Sequence, residues 1–141
     1  MPMPMEYQRA SEEFERFLGL ARERAGLSTR NQTYTMVQAV LQVFRRRLDM
    51  RQAIAFAAVL PPVLRAIFVA DWDLDAPALP FGARAAMTRE VQSLRRDHNF
   101  APDTAIADVA FALWQVVDRA ALQACLSALP AEAASFWNEA G

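Results

Sequence analysis

The chain has 141 residues, 54% of them hydrophobic, and a formal net charge of -1; that length suits one domain, able to bury about 70% of its unfolded surface without staples. A pI near 5.8 leaves no whole-molecule attraction to phosphate backbones or anionic lipid. The single cysteine, Cys125, excludes an intrachain disulfide and a thiolate zinc cluster, and points to a reducing, cytoplasmic compartment.

Alanine is abundant and β-branched residues are sparse, so the expected class is all-α. Every basic residue is arginine, which reads as a coding bias accompanying the alanine content more than a chemical demand.

Residues 1–10, opening MPMPMEYQRA, lack a basic stretch followed by an apolar one and read as a loose tail, with no secretory leader expected. The remaining residues, 11–141, read as a single helical domain. Ser11 is the expected N-cap of the first helix, with Glu12 and Glu13 in its first turn. Phe14, Phe17, Leu18, Ala21 and Ala25 form its apolar stripe and Gly26 its left-handed stop. Ser28 is the expected cap of the second helix, whose stripe is Met36, Val37, Val40, Leu41, Phe44 and Leu48. Asp49 with Gln52 has capping-box spacing for a third helix, and Pro61 or Pro62 suits the first turn of a fourth.

The run AIAFAAVLPPVLRAIFVA, 53–70, approaches the length of a membrane span. Its two mid-segment prolines and the charge of Arg65 argue instead for two short soluble helices. A Pro- and Asp-rich connector follows at 71–82, pinned to the core by Trp72 and Phe81. Four further helices are expected over 83–97, 102–117, 119–128 and 130–138.

These halves echo each other. Leu60-Pro61 matches Leu129-Pro130 at an offset of 69, while Phe14, Leu18, Val40 and Phe44 match Met87, Val91, Leu113 and Val117 at an offset of 73. The expected architecture is therefore two tandem pseudo-repeats of about four helices each, 11–70 and 83–138, packed into one compact domain.

The segments ARERAGLS (21–28) and AVL (39–41), an LP step before a short apolar helix, and the tryptophan of VADWD together resemble the domain of unknown function 2267 family, from Glu6 to Trp137. The second half departs from the family pattern with Asn99 where glycine is usual, and with a shortened turn before its third helix. The resemblance implies a compact helical bacterial protein and brings no catalytic residues to this chain.

Candidate chemistry is thin. DWDLD (71–75) starts like a calcium loop, but Ala76 and Gly82 occupy the positions that need Gly and Glu, so a solvated connector is favoured. His98 and Cys125 lie in no nucleophile motif and read as a helix-end residue and a small core thiol. Arg45, Arg46, Arg47 and Arg51, like Arg95 and Arg96, read as solvated helix ends, so no nucleic-acid partner is expected. No metal, cofactor or transmembrane span is expected either.

The favoured reading is a noncatalytic protein-interaction or self-association module, using Phe56, Leu64, Ile67 and Phe68 as its surface. The alternative is a small-ligand binder, or an enzyme with a weak signature, whose pocket at the seam between the halves includes Trp72 and His98.

Overall fold

A computed structural model describes residues 1–138; the last three residues of the domain drawn at 11–141 lie outside the described residues. The described chain is all-helical: α1 (Met5–Gln8), α2 (Ala10–Ala25), α3 (Arg30–Arg45), α4 (Met50–Ala58), α5 (Pro62–Val69), α6 (Arg84–Ser93), a 3₁₀ turn (Arg96–His98), α7 (Ala105–Val116), α8 (Arg119–Ser127) and α9 (Ala131–Phe136).

Local chemistry sets most of the boundaries. Gly26 stops α2 in the left-handed conformation at φ 69°, where a side chain would be strained. Asp49 and Gln52 make the expected capping box on α4, and Pro62 opens α5. The cap of α3 is Thr29, one residue after the expected Ser28: its hydroxyl accepts from the Gln32 amide while the Gln32 side chain accepts from the Thr29 amide. Ser11 caps nothing, because α2 begins at Ala10 and follows closely on the helical turn of α1.

The expected 83–97 helix ends early, at Ser93. The Asn99 side-chain amide donates to the carbonyls of Val91 and Leu94, both at 2.7 Å, and its oxygen accepts from the Ala101 amide at 3.0 Å. One side chain thus ends α6 and fixes the turn that follows it.

Packing is reciprocal about α3. The helix α2 packs most extensively on α7, while α3 packs on α6 and also touches α2, α5 and α7. Phe44, on α3, sits at the centre, with ring centroids 4.7 Å from Phe56, 5.0 Å from Phe136, 5.3 Å from Trp137 and 6.1 Å from Phe81. Both halves and the connector therefore share one aromatic core, each buried ring contributing about 1.5–3 kcal/mol of hydrophobic burial.

The membrane-like run divides into α4 and α5, and among the described residues no helix is long and apolar enough to cross a membrane. Arg65 serves the break between them: its guanidinium donates to the carbonyls of Ala57 at 3.1 Å and Leu60 at 2.9 Å.

The Arg45–Arg47 run differs most from expectation. Arg45 is only 6% exposed. It donates to the carbonyls of Phe68 at 2.7 Å, Ala70 at 2.8 Å and Asp71 at 3.3 Å, at the C-terminal end of α5. Burial, helped by the charge of Arg46 and opposed by Asp71, lowers its pKa, yet a guanidinium stays charged in a protein. Replacing Arg45 with methionine keeps the aliphatic volume and strands those carbonyls, so urea denaturation should show a loss of about 2–4 kcal/mol. Arg45→Lys should recover only part of it, because an ammonium lacks the planar fork.

Candidate functional site

A cleft of about 380 Å³ opens between the solvent side of α3, the start of the connector and the end of α6. From α3 it takes Tyr34, Thr35, Gln38, Ala39 and Gln42; Asp71 comes from the connector, and Leu94 and Arg95 from the residues after α6. A smaller hollow of about 220 Å³ adjoins it through the shared walls Gln42 and Asp71, and is lined further by Arg45, Trp72 and Asp73.

Two backbone strains meet here. Among the described residues, Asp71 (φ 53°) and Arg95 (φ 51°) are the non-glycine residues in the left-handed region, and both wall the larger cleft. Such a conformation costs an L-residue about 1–2 kcal/mol, less for aspartate, and persists only where surrounding contacts hold it. Arg45 fixes the first by bonding the Asp71 carbonyl. The second is fixed by the 3₁₀ turn, in which the His98 amide donates to the Arg95 carbonyl at 2.8 Å.

The α3 wall combines buried and half-exposed polar groups. Thr35 and Gln38 are buried. The Thr35 hydroxyl donates to the Asn31 carbonyl at 3.2 Å, and the Gln38 side-chain oxygen accepts from Arg95 at 3.4 Å. Two larger hollows offer no buried hydroxyl or amide. One, of about 440 Å³, lies between α1 and the α4–α5 and α7–α8 turns; the other, of about 680 Å³, lies beside Trp114 and Arg119 and ends at Asn138.

The residues singled out in the sequence have distinct locations. Phe56, Leu64, Ile67 and Phe68 are all buried, with Phe56 stacked on Trp137 and 5.1 Å from Phe68; α4 and α5 turn these side chains inward, so they pack the core and present no surface. Trp72 is half-buried and lies under the Arg45 guanidinium, 5.5 Å away. His98 is exposed and walls neither part of the cleft, so the two expected seam residues do not converge. Cys125 is half-buried, and burial raises its pKa.

In the connector, the Asp73 carboxylate accepts from the Asp75 amide at 3.0 Å, and among the described residues no three His, Cys, Asp or Glu side chains form a metal-binding group. Arg47 is not a solvated end: it forks onto Glu90 at 2.6 and 3.0 Å, joined by Arg46 at 3.4 Å.

The cleft residues the sequence reading missed left a signal. Thr35, Gln38 and Gln42 recur at helical spacing along one face of α3, between apolar residues of its core stripe.

A fold of short helices around one aromatic core, with a polar cleft where the two halves meet, defines a compact all-helical protein. The chain belongs to the family described as uncharacterized conserved protein (DUF2267), whose model matches residues 14–136. A comparison with curated proteins finds no match.

Two outcomes follow from these contacts. Arg95→Gly relieves the left-handed strain and, after the extra chain entropy of glycine, should raise stability by about 0.5–1 kcal/mol in thermal denaturation followed by circular dichroism. Glu90 supplies a pH dependence. Burial raises its pKa, but the hydrogen bonds and charges of Arg47 and Arg46 prevail and hold it below the usual carboxylate value. A depressed folded-state pKa adds stability above the unfolded value, lost as pH falls through the folded one. The stability difference between the parent chain and Glu90→Gln should therefore shrink as urea titrations move from pH 7 to below about pH 4.

Proposed function

We propose that this protein is a noncatalytic small-ligand binder whose site is the cleft between α3, Asp71 and Arg95. The observation that carries this reading is the meeting of two left-handed non-glycine residues on one polar cleft, because backbone strain gathers where a site is pre-organised. A barely exposed amide, Gln38, at its wall adds to the case. The site lies where the connector leaves the first half, and the reciprocal packing of α2 on α7 and α3 on α6 supports two tandem pseudo-repeats, 11–70 and 83–138. The free Cys125 favours a reducing compartment such as the cytoplasm.

A protein-interaction or self-association role is the second reading. It rests on Met50 and Ile54, 52% and 56% exposed one helical turn apart on α4, in place of the four buried residues.

Native mass spectrometry on protein gently purified from its own host separates the two. A small-molecule adduct on the monomer is the expected result. A bare monomer overturns the ligand reading, and a defined multimer without an adduct replaces it with the second.

A further inference from the structure

The walls of the cleft carry opposite formal charges that do not neutralise each other. Asp71 and Arg95 both line it, yet among the described residues they form no ion pair with one another. The Asp71 carboxylate accepts no hydrogen bond among the described residues, since its one bond, from Arg45, is to its backbone carbonyl. The Arg95 guanidinium has one long contact, 3.4 Å to Gln38. Arg45, the other cation near Asp71, attracts it through space, but its guanidinium donates to the carbonyls of Phe68, Ala70 and Asp71 and not to the Asp71 carboxylate.

The same cleft is lined by Gln38 and Gln42, whose amides can both donate and accept, and by Tyr34, which carries a hydroxyl. A simple anion drawn to Arg95 would also feel Asp71, and a simple cation drawn to Asp71 would feel Arg95. A molecule bearing both charges gains at each wall. The volume, about 380 Å³, suits a metabolite and not a polymer.

Resting on the ligand-binding reading above, we infer that the cleft takes a small zwitterion of the amino-acid class, its carboxylate on Arg95 and its ammonium on Asp71. Leu94 and Ala39 supply the apolar contact for a side chain, so an uncharged side chain fits best.

The test is amide NMR of the full-length ¹⁵N-labelled chain, titrated singly with the L-amino acids that have uncharged side chains. The matched deaminated acids, decarboxylated amines and neutral amides follow. At least one amino acid should shift the Gln38, Gln42 and Arg95 amides, and removing either ligand charge should weaken its binding roughly tenfold or more. Arg95→Gln and Asp71→Asn should each produce a similar loss with unchanged far-UV circular dichroism; the analogue series on the parent chain decides the question if either variant fails to fold. If singly charged or neutral analogues move the same amides equally well, the zwitterion inference falls while the ligand reading stands. If no compound of any class moves them, both fall.

Discussion

Short helices are costly at their ends, and this fold is built of them. Each leaves four carbonyls without an intrahelical partner, a large share of the backbone when α4, α5, α8 and α9 have nine, eight, nine and six residues. Arginine meets much of this need from elsewhere in the chain. Arg65 bonds the end of α4, Arg45 the end of α5, Arg16 and Arg119 the end of α7, and Arg84 the end of α9. Each guanidinium brings positive charge to the negative end of a helix dipole, and the planar forks of Arg45, Arg65 and Arg84 each reach more than one carbonyl, where a lysine ammonium would act as a point. The exclusive use of arginine, which looks like composition in the sequence, has a structural use at these five positions.

The same interaction connects the fold to the cleft. Arg45 ends α5 and holds the carbonyl of Asp71, so the chain reversal that begins the connector is imposed from α3. Asn99 and the 3₁₀ turn do the corresponding work after α6, where they fix Arg95. Two devices needed to finish helices thus bring an acid and a base to the two sides of one cleft. Neither strained residue stands alone, which is how their conformational cost persists.

Much of the fold was legible because it is written in local signals. The stripe from Met36 to Leu48, the stop at Gly26, the Asp49 capping box and Pro62 at the start of α5 all depend on nearby residues, and all appear. The errors lie where a distant partner decides. Arg45 and Arg47 looked like a solvated helix end because nothing nearby in sequence reveals the carbonyls of Phe68 and Ala70 or the carboxylate of Glu90. Phe56, Leu64, Ile67 and Phe68 looked like excess apolar surface because their cover comes from distant residues: Trp137, stacked on Phe56, arrives 81 residues after it. The cleft was hidden for the same reason: Gln38 is read beside Arg95 only after folding, although the polar face of α3 was visible throughout.

The aromatic centre also constrains how the chain is made. Phe44 and Phe56 belong to the first half, whereas Phe136 and Trp137, which close over them, come only at the end of α9. Synthesis runs from the N-terminus, and a domain folds as a unit, so a nascent chain cannot seal this core until the end of α9 has left the ribosome. Until then Phe44 and Phe56 lack the rings that cover them, and the first half carries an unfinished apolar face during its own synthesis.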